Sequence, residues 1–273
     1  MADTDAKHSV GYDSFYALFD SPLMQQLRQK AYGQDIGQHS WLTVEELTQD
    51  IPRLGLSRTS RLLDLGCGPG GPLTFVVSQV GCLAIGVDVS PPAIESARSR
   101  TASFGLSALV EYQVADLNEP IPFQPGSFSS IMSIDVILHL RDRAAMFNEV
   151  SRLLTPGGRF LFTDAGILNG PVSNNDIRRR AMHGLTQFAP DGFNEKILEL
   201  AGFRLLESVD RTPSLLQNAK GRLTARIANR AEIEQAEGES YFTAQMEYLE
   251  TVIELSERGA VSRKMYLVES HGA

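Results

Sequence analysis

The chain reads as an α/β protein: a seven-stranded, mostly parallel sheet with helices on both faces, plus helical additions. Three observations predict it. From Arg61 onward short apolar runs alternate with helix-like stretches, the turns between them carry helix start and stop signals, and the first apolar run leads straight into a glycine-rich turn. At 273 residues and 42% hydrophobic content, the chain is long enough for one large domain with a full core.

The strands are read at Arg61–Leu65, Leu83–Asp88, Val110–Val114, Phe128–Ile134 and Gly158–Thr163, with two late ones at Phe203–Val209 and Ser262–Val268. The helix after the first strand opens with Gly71-Pro72, where proline's missing N–H costs nothing. The next opens on Ser90-Pro91-Pro92 with Ser90 as N-cap, carries Ala93, Ile94 and Ala97 at helical spacing, and stops at Phe104-Gly105. A third runs from Arg141 to Leu154 and is ended by Thr155-Pro156-Gly157-Gly158. Residues 1–57 are expected to form a helical N-terminal cap or lid. Residues 58–273 form the main domain, with helical cap insertions at 165–200 and 214–258.

Composition narrows the partners. A formal net charge of −8 opposes a phosphate backbone, so a nucleic-acid partner is disfavoured. No apolar run reaches 18 residues and the N-terminus lacks the pattern of a secretory signal, so a cytoplasmic protein without membrane contact is expected, as monomer or homodimer. Cys67 and Cys82 lack metal-ligand spacing and are read as structural thiols, with no metal site.

Leu62-Leu63-Asp64-Leu65-Gly66-Cys67-Gly68-Pro69-Gly70-Gly71 is a strand entering a glycine turn and then a helix, which brings backbone N–H groups and a helix N-terminus close to a ligand. Gly66, Gly68 and Gly71 also satisfy G-x-G-x-x-G, and Asp88, about 20 residues on, stands where a carboxylate takes ribose hydroxyls. An NAD-dependent oxidoreductase therefore has to be weighed. Asp64 just before the glycines, Asp116-Leu117 after the third strand and Leu153-Leu154-Thr155-Pro156-Gly157-Gly158 before the fifth separate the readings.

With these motifs in this order, residues 61–165 resemble the class I methyltransferases that use S-adenosylmethionine (SAM) on a Rossmann-like sheet. The resemblance implies SAM as cofactor and S-adenosylhomocysteine (SAH) as product. It implies that Gly66, Cys67 and Gly68 line the methionine moiety, Asp64 holds its ammonium, Asp88 binds the ribose and Val89 flanks the adenine. Asp116 and Leu117 would contact the adenine amine and ring, and Ile134 would border the cofactor. Local alternatives stand beside these roles: Asp64 as a turn-stabilising carboxylate and Asp116 as a turn cap.

Ser133-Ile134-Asp135-Val136-Ile137-Leu138-His139-Leu140, followed by Phe162-Thr163-Asp164, resembles small-molecule methyltransferases acting on sugar hydroxyls, glycine derivatives or phosphoethanolamine. That likeness implies His139 as general base for an oxygen or nitrogen acceptor, and Asp164 as the residue that orients its imidazole or binds the substrate. The alternative is an architectural histidine beside the cofactor. Tyr32 to Trp41 resembles a lid segment, which makes Gln38 and Trp41 candidates for cofactor contact and Tyr16 and Tyr32 weaker ones. Trp41 as a hydrophobic staple is the alternative. Arg178, Arg179 and His183 are candidates for an anionic group on the acceptor, against plain surface solvation. Phe188, Phe193, Leu215, Leu216, Tyr241, Phe242 and Met246 predict a moderately apolar acceptor, unless they are core.

An Asn-Pro-Pro-Tyr tetrad, which nucleic-acid amino methyltransferases carry after the fourth strand, is replaced here by Ile134-Asp135-Val136-Ile137. A non-catalytic SAM-binding regulator is the further alternative, since scaffold does not define chemistry.

Overall fold

The computed structural model describes residues 13–271, apart from 14 and 183. His183, one of the anion-site candidates, thus lies outside the described residues. Strands β1 (Arg61–Leu65), β2 (Leu83–Asp88), β3 (Val110–Val114), β4 (Phe128–Ile134), β5 (Leu154–Leu168), β6 (Ala189–Pro190), β7 (Phe203–Asp210) and β8 (Val261–Ser270) join in one sheet. Its order is β3-β2-β1-β4-β5-β8-β7, with β6 on β5. The first five strands pair parallel, and β8 enters antiparallel between β5 and β7.

The strand order reverses between β1 and β4. In an open parallel sheet this is where a crevice opens beyond the carboxyl ends of the strands. Leu65 aligns with Val87 at one side of that crevice and Ile134 with Thr163 at the other.

The helices are α1 (Pro22–Tyr32), α2 (Val44–Arg53), α3 (Gly71–Val80), α4 (Pro91–Ser103), α5 (Arg143–Leu153), α6 (Asn174–Arg180), α7 (Phe193–Leu200), α8 (Thr212–Ala228), α9 (Arg230–Glu237) and α10 (Glu239–Glu257). Their ends follow from local chemistry. The Ser90 hydroxyl accepts from Ala93 N at the start of α4, and Gly81, in the left-handed region, closes α3. The Asp142 carboxylate accepts from Ala145 N, so α5 starts at Arg143 and not at Arg141.

Two strands differ from expectation. β5 continues past Thr163 to Leu168 because β8 pairs with it on both sides of an irregularity between Asp164 and Ile167, which absorbs Ala165-Gly166. β6 is two residues long and contains Pro190, so neither alternation nor propensity marks it.

One apolar core lies between the sheet and α5 and α7, including Leu63, Ile131, Phe147, Phe160, Phe162 and Leu198. A second packs α2, α3 and α4 against the other face through Leu47, Leu62, Leu73, Val76, Ile94 and Met132. Above the carboxyl ends of the strands, α8 and α10 form a cap whose core joins Leu215, Ala219, Tyr248, Leu249 and Val252 to Trp41 and Ala165. Leu215 and Phe242 are buried in helix-to-helix packing, with Phe242 against Met24 and Leu27, and Phe193 is exposed. None of the seven apolar residues expected to shape the acceptor pocket lines the cavity described below. Leu215, Leu216, Phe242 and Met246 pack between the cap helices and their neighbours, Phe188 packs against Leu255, Ala260 and Val261, and Phe193 faces solvent, so none of them argues for an apolar acceptor.

Candidate functional site

A cavity of about 250 Å³ opens in the crevice, walled by the ends of β1, β2 and β4, the loop before α2, and the cap. Its floor is the glycine turn. Gly66 has φ +75, and a Cβ there would run into the Val136 side chain, so this position needs glycine twice over. A Cβ on Gly71 would strike the carbonyl oxygens of Ile36 and Gly37, so its absence lets the loop before α2 lie against the start of α3.

Asp88 ends β2 and is held by main chain: Gly68 N donates to Oδ2 at 2.8 Å and Ser90 N to Oδ1 at 3.0 Å. Burial pushes its carboxyl pKa up and these two donors pull it back. Asp64, beside it, is 2% exposed. Burial pushes the Asp64 pKa well up, and the neighbouring Asp88 adds to the shift. No hydrogen bond to Asp64's carboxylate occurs among the described residues. A buried carboxylate facing a cavity without a protein donor fits a cationic ligand group, which would restore its charge. Cys67, Gly68, Val89, Asp116, Leu117 and Ile134 also line the cavity. Asn118 donates to Asp116 Oδ1 from both main chain and side chain, at 2.8 and 2.9 Å.

His139 follows β4 on a single turn of 3-10 helix, Ile137–His139, and faces the cavity. Its Nδ1 lies 2.9 Å from the Leu185 carbonyl oxygen. A carbonyl only accepts, so Nδ1 carries the proton and the neutral ring's lone pair is on Nε2. Burial lowers the His139 pKa below its ordinary value, the Leu185 carbonyl partly opposing this.

Asp164, expected beside His139, is elsewhere. It is fully buried, pairs with the equally buried Arg143, and accepts from Asn194 Nδ2 and Gly166 N at 2.9 Å each. It does not line the cavity. The reason is competition: Arg143 on α5, Asn194 on α7 and Gly166 N take up the Asp164 carboxylate, and His139 Nδ1 is hydrogen-bonded to the Leu185 carbonyl instead.

Gln38 is also turned inward. Its Oε1 accepts from Ile36 N at 2.9 Å and its Nε2 donates to Gln34 O at 3.1 Å, so it braces the loop and the cavity wall is left to His39 and Gly37. Tyr32 donates to Ser40 O and stays off the wall, whereas Tyr16 lines it. Trp41 lines the cavity on the cap side. Its ring stacks on Tyr248 at 6.1 Å, so its neighbours are cap residues.

Of the basic run, Arg178 is exposed and Arg179 reaches Glu250 at 3.9 Å. Only Arg180, the third, is buried at the cavity, because successive helical residues turn about 100° apart. Arg222 and Tyr248, from α8 and α10, complete this end.

Asp135 has no role in the sequence motifs beyond its place between Ile134 and Val136. It is the only non-glycine residue with positive φ among the described residues, at +58. Its carboxylate accepts from Trp41 N at 2.9 Å, Thr163 Oγ1 at 2.8 Å and Arg263 Nε at 2.8 Å, and Arg263 also pairs with Glu46 at 2.8 Å. This buried network ties the loop before α2, the end of β4 and β8 into one wall. A non-glycine residue in the left-handed region signals such a constraint only once the backbone is seen.

Comparison with known proteins bears on the family and the fold. Residues 63–162 match the family model described as a methyltransferase domain. The chain is 30% identical over 176 residues to methyltransferase GfsG of Streptomyces halstedii, 64% of this chain and 58% of that protein, so it spans under two thirds of that relative's length. It is 28% identical over 253 residues to sarcosine/dimethylglycine N-methyltransferase of Halorhodospira halochloris, 89% of this chain and 84% of the other. Haemonchus contortus phosphoethanolamine N-methyltransferase 2, solved with phosphomonomethylethanolamine and S-adenosylhomocysteine, superposes with a TM-score of 0.78 at 20% identity, over 96% of this chain and 60% of that one.

Fold, crevice and family match together define a class I SAM-dependent methyltransferase domain, with SAM as its cofactor. The relatives it resembles include a methyltransferase of sarcosine and dimethylglycine. The match resolves the ambiguity of the glycine spacing in favour of SAM over a dinucleotide. Among the described residues no helix is long and apolar enough to cross a membrane.

Proposed function

We propose that the chain transfers a methyl group to an oxygen or nitrogen of a small molecule held under the cap, with His139 as general base. SAM supplies the methyl group on a sulfonium, from which the acceptor's lone pair takes it as the carbon–sulfur bond breaks. The acceptor's proton passes to His139 Nε2.

The observation that carries this reading is the state of His139. The Leu185 carbonyl selects the tautomer with the lone pair on Nε2, and burial keeps the ring neutral at neutral pH, which together are what a base requires. Roles at the cofactor end follow the motif positions: the turn Gly66 to Gly68 cradles the methionine portion and Asp64 holds its ammonium. Asp88 takes the ribose hydroxyls, with Val89, Asp116, Leu117 and Ile134 around the adenine. Asp135 and Gln38 act as positioning residues for the wall between the two ends.

The test is an SAH-release assay of purified protein with SAM and a panel of hydroxyl- and amine-bearing small molecules. At least one acceptor is expected to raise SAH release well above background, and His139→Gln to abolish the increase while SAH still binds. Full turnover in His139→Gln would remove the base from the account.

A further inference from the structure

The described residues include six buried arginines. Five of them have a carboxylate partner: Arg28 with Asp35, Arg143 with Asp164, Arg211 with Asp50, Arg226 with Glu237, and Arg263 with Glu46 and Asp135. Arg180 is the exception. It is 3% exposed and all its partners are neutral: Nη1 donates to Tyr248 Oη at 2.9 Å, Nη2 to Ala165 O at 3.2 Å, and the guanidinium lies 5.2 Å from the Tyr248 ring centre and 5.9 Å from that of Trp41. A second guanidinium, Arg222, lies 4.9 Å from the same Trp41 ring and has no ion pair among the described residues. Both line the cavity.

Two cations gathered around one indole, one of them buried, repel each other and lose hydration, and ring faces return only part of that cost. The cavity's carboxylates do not compensate. Asp64, Asp88 and Asp116 stand at the ends of β1 and β2 and just beyond β3, and Asp135 is taken by Arg263. The cap end of the cavity is therefore positive in a chain of net charge −8.

We infer that Arg180 and Arg222 form an anion subsite for the acceptor, so that the methylated small molecule carries a carboxylate or phosphate that seats beside Trp41. This rests on the methyl-transfer reading and names the substrate class that reading leaves open. The planar guanidinium suits either anion, since it can offer two parallel N–H donors.

Trp41 is the chain's only tryptophan, so its fluorescence reports this end of the cavity directly. The experiment titrates SAH-saturated protein with phenyl phosphate, with benzoate and with the neutral analogue benzyl alcohol. An anion is expected to bind at least tenfold more tightly than benzyl alcohol, and the tighter of the two identifies the acceptor's group. Arg222→Ala should weaken the anion at least tenfold, Arg222→Lys should recover most of that loss, and SAH affinity should stay within twofold in both.

Equal binding of benzyl alcohol by the wild type would overturn the subsite without any variant having to fold. So would a tenfold loss of SAH affinity in Arg222→Ala with the anion titration unchanged, which would assign the guanidinium to the cofactor's own carboxylate. Failure of the wild type to bind SAH at all would overturn the methyl-transfer reading itself, and the subsite with it.

Discussion

At the strand end of the cavity the ligand-facing groups are set by main chain. Gly66 leaves room that a Cβ would fill, and Gly68 N and Ser90 N fix the Asp88 carboxylate. Under the cap the groups are long side chains from four separate segments: Trp41 before α2, Arg180 on α6, Arg222 on α8 and Tyr248 on α10. The strand end is acidic and the cap end is basic. A wall built on backbone N–H groups tolerates little change of ligand, whereas one built on side chains can be re-aimed by substitution. The two ends thus fit a constant cofactor and a variable acceptor.

The largest effect expected to sharpen this contrast comes from His139→Ala. It should lower kcat by roughly 10²- to 10⁴-fold, the range for loss of a general base, with SAH affinity almost unchanged in calorimetry. An equal loss in SAH binding would place the imidazole at the cofactor end instead.

Breaking the buried pair by Arg143→Met should cost about 3–5 kcal/mol of stability in denaturant unfolding, since it strands the Asp164 carboxylate in the core. SAH affinity of the folded fraction should hold. A variant that loses activity without losing stability would return Asp164 to the active site.

Gly66→Ala attacks the strand end. A side chain in the left-handed region costs about 1–2 kcal/mol and the overlap with Val136 about 1–3 more, so SAH affinity should fall by at least about tenfold. The pH–rate profile offers a gentler probe. Since burial lowers the His139 pKa, the reactive neutral form persists on acidification, and the acid limb of kcat should fall below the ordinary histidine value of about 6.5. A limb above that value would contradict the assignment. The smallest effect belongs to Arg178→Ala, expected to change stability by less than about 0.5 kcal/mol and turnover not at all, because this side chain is exposed and does not line the cavity.

The same contrast explains what was legible in the sequence. The first four strands, the glycine turn and Asp88 lie on contiguous stretches whose chemistry is local: alternation, a proline at a helix start, an acid ending a strand. Ser90 could be read as an N-cap for the same reason. The cap end draws on residues more than two hundred positions apart, and no spacing rule links Trp41 to Arg222 or Tyr248. Asp164 shows the hazard of carrying a role by position alone, since Arg143 and Asn194, neither marked by any motif, decide which way its carboxylate is used. Asp135 is similar: its left-handed backbone and its contacts with Arg263, Thr163 and Trp41 are tertiary facts. In the run Arg178 to Arg180 the charge was visible, but which of the three turns inward depends on the exact phase of a seven-residue helix.

Calorimetric titration of the wild type and of Asp88→Ala with SAH, and separately with NAD, tests the central claim most directly. The account predicts saturable SAH binding, no heat with NAD, and a loss of roughly 10- to 100-fold in the variant, the worth of about one hydrogen bond to a charged carboxylate. Binding of NAD with silence toward SAH would contradict it and return the glycine turn to a dinucleotide.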